Sequence, residues 1–113
     1  MSKYQFNDCG VCTNYDVAVE YKEDKSYLLV KVAQLDNGNW VCGTNWQVTH
    51  DGQFGGCSEP CSITDKQYPT KEDATIAALQ GWMQSKSHGG YVAHLAKKAM
   101  IKYQNETLQL SLF

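Results

Sequence analysis

The sequence predicts an α+β fold, in which a three- to four-stranded antiparallel meander is packed on one face by two C-terminal helices. Three observations support this prediction. The first half of the chain carries three apolar segments with the two-residue alternation of β-strands. The second half carries two longer segments with helical periodicity. Between two of the strand segments lies Asn37–Gly38, a hairpin signal in which both residues are expected to adopt positive φ.

The alternation of apolar and polar side chains sets the strands. The three predicted strands comprise residues 17–22, 27–35 and 40–50. The second strand has a nearly continuous apolar middle, which indicates a central position in the sheet. The third places Trp40 and Trp46 on one face, where both should lie in the core. Residues 51–56 are predicted to form a loop, and a short fourth strand is predicted near 62–64.

The helices are predicted from periodicity and from their end signals. The first covers residues 70–86, with Thr70 as N-cap and Asp73 three residues later in the manner of a capping box. The second covers residues 91–104 and ends at Asn105. Residues 1–105 are therefore predicted to form a single α+β domain, followed by a C-terminal tail over 106–113.

The composition bounds the function. The chain has 113 residues and a net charge of -2, and all ten of its basic residues are lysines. Arginine is the usual reader of guanine edges, so its absence disfavours a sequence-specific DNA-binding protein. Neither an apolar run of membrane-spanning length nor an N-terminal signal is apparent, which predicts a cytoplasmic protein without membrane association.

Four cysteines suggest a metal site. Two pairs, with spacings C-x2-C and C-x3-C, could converge to give the tetrahedral thiolate set that zinc prefers. The predicted ligands of this structural zinc are Cys9, Cys12, Cys57 and Cys61. Thiol–disulfide exchange at the first pair is an alternative, although such pairs normally open a helix. Cys42, in the middle of a strand, is expected to be a small buried apolar residue.

The sequence gives only weak indications of nucleic-acid binding or catalysis. The predicted outer face of the second helix carries a basic strip that is the best candidate for contact with a nucleic-acid backbone, although most such strips are only the solvated side of a helix. The strip comprises His94, Lys97, Lys98 and Lys102. Phosphate-binding glycine loops, nucleophile elbows and zinc-protease helices are absent from the sequence. We therefore expect a protein that is not an enzyme.

The last five residues carry the most specific signal in the chain. They are Gln109, Leu110, Ser111, Leu112 and Phe113. This pentapeptide resembles the short motif with which many bacterial proteins bind the replication sliding clamp, the beta subunit of DNA polymerase III. The resemblance covers these five residues only. It implies that Leu112 and Phe113 fill an apolar cleft and that Gln109 occupies a small polar subsite.

The same residues also permit a structural interpretation. Leu108, Leu110 and Leu112 alternate with polar residues, which is typical of a half-buried edge strand. Two hypotheses follow. In the first, the protein is a small accessory or inhibitory protein that docks on the sliding clamp through its tail. In the second, it is a zinc-stabilised protein-interaction module, encoded by a phage or mobile element to inhibit a host system, and the tail is only a final strand.

Overall fold

The computed structural model describes residues 3–50 and 52–111, and it confirms the predicted α+β class. Within these ranges the chain runs through four strands and then two helices. The strands are β1 (Asp16–Glu23), β2 (Ser26–Gln34), β3 (Trp40–His50) and β4 (Gln53–Ser58). The helices are α1 (Lys71–Met83) and α2 (Tyr91–Ser111), connected through a 3₁₀ turn at Ser87–Gly90.

The sheet is an antiparallel meander in the order β1-β2-β3-β4. As its apolar middle predicts, β2 lies between two neighbouring strands. The predicted position of the fourth strand was wrong, because β4 lies at Gln53–Ser58 and Ser62 forms only an isolated bridge with Val11. Gly52, with φ of +76°, turns the chain back onto β3. Pairing there relies on the backbone, so side-chain alternation did not reveal it.

The hairpin between β2 and β3 forms where predicted, but with a different turn. Gly38 has φ of +91°, whereas the φ of Asn37 is not positive. Leu35 accepts from the N–H of Gly38 at 3.0 Å and donates to the carbonyl of Asn39 at 2.8 Å. This arrangement is the longer hairpin loop in which glycine follows an ordinary turn in the left-handed conformation.

The main core lies between one face of the sheet and both helices. Its strand residues are Val19, Leu28, Val30, Val32, Trp46 and Val48. Its helix residues include Ala74, Leu79, Val92, Leu95, Ala96 and Ala99. Trp46 is in this core, as predicted, and its ring meets that of Trp82 edge to face with centroids 5.7 Å apart. Trp40 is only half-buried and borders the core, where its ring meets Tyr4 at 5.9 Å.

A second, smaller cluster covers one end of the opposite face of the sheet. It comprises Tyr4, Cys12, Ala33, Val41 and Cys61. The N-terminal segment and the loop after β4 therefore act as a lid over this end of the sheet. Elsewhere on that face Val17 and Phe54 are exposed.

The two helices match their predicted starts but not their predicted ends. Thr70 caps α1, and its hydroxyl accepts from the N–H of Asp73 at 3.0 Å, as the capping signal predicts. The helix ends at Met83 rather than at residue 86. Helix α2 begins at Tyr91 and continues to Ser111, beyond the predicted end at Asn105. Residues 106–111 lack glycine and proline, so nothing in the local sequence breaks the helix.

Candidate functional site

Helix α2 is the element that carries both the predicted basic strip and the start of the pentapeptide. Its first half is embedded in the core through Val92, Leu95, Ala96, Ala99 and Met100, all of which are buried. These positions recur at the spacing of one helix face, which is why the segment folds as a helix against the sheet.

A polar cluster at the edge of the sheet fixes the start of α2. The carboxylate of Glu23, at the end of β1, accepts from the hydroxyl of Tyr21 at 2.9 Å and from that of Tyr91 at 2.5 Å. Nε2 of His94 lies 3.0 Å from both carboxylate oxygens, and the His94 ring stacks on Tyr91. The hydrogen bonds from Tyr91 and His94 lower the pKa of Glu23 to about 2.

The same cluster changes the predicted basic strip. The prediction that His94 faces outward holds only in part, since its side chain is 40% exposed and is held against Glu23. Burial and the hydrogen bond to Glu23 raise the pKa of Tyr91 to about 12, so Tyr91 serves as a donor. Neither contact could be predicted from the sequence because Glu23 lies on a different element. The spacing of Tyr91 and His94, three residues apart on one helix face, is the only local signal of the cluster.

The three lysines of the strip are exposed, as predicted. Lys97 and Lys98 are on the outer side of α2, and Nζ of Lys102 donates to the backbone carbonyl of Glu20 at 2.6 Å. Lys102 is therefore already hydrogen-bonded to the edge strand of the sheet. Contact of this strip with a nucleic-acid backbone stays a prediction, and the strip has no arginine to strengthen it.

The second half of α2 leaves the core. Ile101 is 53% exposed and Leu108 is 59% exposed. Tyr103 is half-buried and packs against the margin of the core, while Thr107 donates from its hydroxyl to the carbonyl of Tyr103 at 2.8 Å. A shallow groove of about 290 Å³ separates this half from α1. It is lined by Glu72, Ile76, Tyr103, Gln104, Thr107 and Leu108.

The pentapeptide begins on this exposed half. The backbone of Gln109, Leu110 and Ser111 belongs to the last turn of α2. Leu112 and Phe113 lie outside the described residues. The alternative prediction of a final strand was wrong for residues 106–111, because all six are helical.

The predicted zinc ligands fall in different parts of the fold. Cys12 and Cys61 lie side by side in the smaller cluster, where the N–H of Cys12 donates to the carbonyl of Cys61 at 2.8 Å. Cys57 is on the other face of the sheet, beside the main core, and Cys9 is exposed. Among residues 3–50 and 52–111, no group of three or more potential ligands is placed to hold a metal.

Burial affects the ionisation of two of these thiols. Burial raises the pKa of Cys61 to about 12 and also raises the pKa of Cys57. Zinc binds the thiolate, so a ligand set at these positions would need its thiols deprotonated by the metal itself. The zinc staple stays a prediction, and only Cys12 and Cys61 of the four are brought together.

Comparison of the chain with protein-family models, with curated proteins and with solved structures gives no match. In the part of the chain that the structure describes, no helix is long and apolar enough to cross a membrane.

Proposed function

We propose that this protein docks on the bacterial replication sliding clamp through residues Gln109–Phe113, with the α+β body as the accessory or inhibitory part. The observation that carries the proposal is the match of all five residues to the clamp-binding pattern. Two adjacent large apolar residues, Leu112 and Phe113, act as the anchors in this mode of peptide recognition. Gln109 sets the register, because its carboxamide both donates and accepts.

The position of the motif on α2 supports this function. Tyr91 to Met100 hold the helix on the sheet, whereas Gln104, Asn105 and Glu106 are exposed. A peptide that enters a groove on another protein has to be accessible, and the exposure of the residues just before the motif favours this. The buried half of α2 fixes the direction of its exposed half.

Docking in an extended conformation requires the last helical turn to unwind. A terminal turn with little packing is only marginally stable, because helix stability in proteins comes chiefly from the packed face. Ile101 and Leu108, which precede this turn on the same helix, are both exposed. The free energy needed for unwinding is therefore small relative to that gained by burying two large side chains.

The consequence of docking follows from competition for the clamp groove. Docking of this chain either brings it to replicating DNA or excludes another protein's tail from the groove. Both outcomes depend on the same contact between the pentapeptide and the groove.

The test is a titration of the full chain onto purified bacterial sliding clamp by isothermal calorimetry. We expect saturable binding, and we expect the double variant Leu112→Ala/Phe113→Ala to weaken it by about a hundredfold, because two anchor side chains are removed. The matched control is Asn105→Ala, an exposed residue of the same helix outside the motif. It should leave the affinity unchanged.

Two results would overturn the proposal. One is equal affinity of the unaltered protein and the double variant. The other is a lack of binding by the full chain under conditions in which a synthetic peptide of residues 109–113 binds. The second result would mean that the motif is competent but is not accessible on α2.

A further inference from the structure

The outer edge of β3 contains a gap. Along one part of this edge β4 pairs with residues 45–50, and at the other end Trp40 exchanges two backbone hydrogen bonds with Tyr68, at 2.7 and 2.8 Å. The carbonyl of Thr44 accepts from the N–H of Glu59 at 2.9 Å. Since hydrogen-bonding direction alternates along an antiparallel strand, the N–H and C=O of Cys42 point to the same side of β3 as those of Trp40 and Thr44, into the gap between these two contacts.

A cavity of about 210 Å³ lies at this gap, between β3, α1 and the loop that follows β4. It is lined by Cys42, Gly43, Thr44, Glu59, Asp65, Lys66, Tyr68, Ala78 and Trp82. The volume is below the range of pockets that hold drug-sized ligands. It suits a single side chain or a small molecule of similar size.

A buried hydroxyl borders the cavity and has no partner. Thr44 is 1% exposed, and its Oγ1 has no hydrogen-bond partner within residues 3–50 and 52–111. The side chain is on the sheet face that packs on α1, since it alternates with Gly43 and shares its face with Cys42 and Trp46. Buried polar groups are nearly always hydrogen-bonded, so this hydroxyl lacks a partner that a ligand or a water molecule in the cavity would supply.

The charged and aromatic groups of the cavity favour a cation. The acidic residues Glu59 and Asp65 both border it, and the Asp65 carboxylate accepts from the N–H of Ser62 at 2.9 Å. Burial, and then the negative charges of Asp65 and Glu59, raise the pKa of the Cys42 thiol to about 11, so the field of these carboxylates reaches the interior.

The aromatic residues of the cavity also favour a cation. Nζ of Lys66 lies 5.5 Å from the centre of the Tyr68 ring, so this ring already carries a cation from the protein itself. Trp82 forms part of the wall on the helix side. An entering cation would find two carboxylates, an aromatic wall and an acceptor hydroxyl, and it would compete with Lys66 for the Tyr68 face.

We propose that this cavity binds an ammonium or guanidinium group on a short aliphatic chain, supplied either by a small amine or by the basic side chain of a partner protein. Glu59 and Asp65 supply the countercharge and Thr44 accepts a hydrogen bond from the cation. The backbone groups of Cys42 are available to an amide next to the chain, as in a lysyl residue. This site is independent of the pentapeptide and of the proposed docking on the clamp.

The experiment is a titration of the full-length protein, followed by the ¹H–¹⁵N NMR signals of Cys42, Gly43 and Thr44. The probes are n-butylammonium, N-acetyl-lysine methylamide and, as the uncharged control, N-acetyl-norleucine methylamide. We expect saturable shifts at these amides with the two cations at millimolar concentration and none with the control. Tighter binding of the lysine derivative would assign the site to a partner's side chain, and equal binding of n-butylammonium would assign it to free amines.

Two variants sharpen the test. Glu59→Gln should weaken cation binding about tenfold, because one charge-assisted contact is lost. Thr44→Val should weaken it about fivefold while leaving the protein as stable as before or more stable, since an unpaired buried hydroxyl is replaced by a methyl group. Glu72→Gln, an exposed acidic residue of α1 outside the cavity, serves as the control. Lys66→Met should strengthen binding, because the competing cation is removed.

The proposal is overturned by equal shifts with the norleucine and lysine derivatives, or by shifts that do not include residues 42–44. It is also overturned by a loss of stability in Thr44→Val, which would mean that the hydroxyl is already satisfied, for example by a buried water molecule.

Discussion

The two halves of α2 have different roles although they form one continuous helix. From Tyr91 to Met100 the helix places one face in the main core and attaches its first turn to Glu23. From Ile101 to Leu108 the helix meets the margin of the core through Tyr103, and its large apolar residues Ile101 and Leu108 are exposed. We attribute the helical structure of the second half chiefly to local propensity and to continuity with the first half.

This contrast connects the fold with the proposed function. A segment whose structure depends on few tertiary contacts can change conformation without unfolding the domain. A segment built into the core cannot, because any change there exposes apolar surface. The pentapeptide begins in the half that has fewer tertiary contacts.

The largest expected difference is in the response to removing a leucine. Leu95→Ala should lower the free energy of unfolding by about 2–5 kcal/mol, since Leu95 is fully buried and its truncation leaves a cavity. Leu108→Ala should change it by less than about 0.5 kcal/mol, since Leu108 is 59% exposed. Urea denaturation of both variants measures the two effects. Similar destabilisation by the two substitutions would show that the second half is packed as firmly as the first.

A smaller effect is expected at the polar attachment of the first half. Tyr91→Phe removes the hydrogen bond to Glu23 and should lower the free energy of unfolding by about 1 kcal/mol at neutral pH. That value is at the low end for a bond to a charged group, because the Glu23 side chain is 30% exposed. Tyr27→Phe, a half-buried tyrosine elsewhere in the sheet, is the control, and chemical denaturation is the measurement.

The same attachment predicts a dependence on pH. The folded pKa of Glu23 is lowered from 4.5 to about 2, so its contribution is complete above pH 4.5 and is lost as the pH falls towards 2. Denaturation series between these pH values should therefore show a shallower loss of stability in Tyr91→Phe than in the unaltered protein. Parallel curves for the two proteins would show that the Tyr91 hydroxyl does not set the ionisation of Glu23.

Much of the fold was predictable because its signals are local. Side-chain alternation located three strands, and the Thr70 cap located the start of α1. β4 was not predictable, since Phe54-Gly55-Gly56 lacks strand propensity and its pairing depends on the neighbouring edge of β3. A tertiary contact requires glycine at position 55, because a Cβ there would lie 2.3 Å from the ring of His88.

The candidate sites also differ in whether their signals are local in the sequence. The pentapeptide is a contiguous motif and was found directly in the sequence. The attachment of His94 to Glu23 joins residues far apart in the chain, so the sequence predicted an exposed histidine instead. The cavity beside Thr44 is bordered by β3, α1 and a loop. Because these segments are far apart in the chain, no sequence spacing predicts that they meet. The end of α2 was misjudged because Asn105 is a weak helix former, although no residue after it terminates the helix.

The smallest expected effect tests the unwinding of the last turn. Ser111→Ala keeps a small side chain but raises helix propensity by about 0.5 kcal/mol, which should reduce the affinity for the sliding clamp about twofold. Circular dichroism should show equal or higher helix content, and calorimetric titration onto the clamp should show the weaker binding. The control is Ser87→Ala, an exposed serine in the 3₁₀ turn. Unchanged or tighter binding by Ser111→Ala would mean that the pentapeptide does not have to leave the helix, and the two halves of α2 would then differ in exposure but not in conformational freedom.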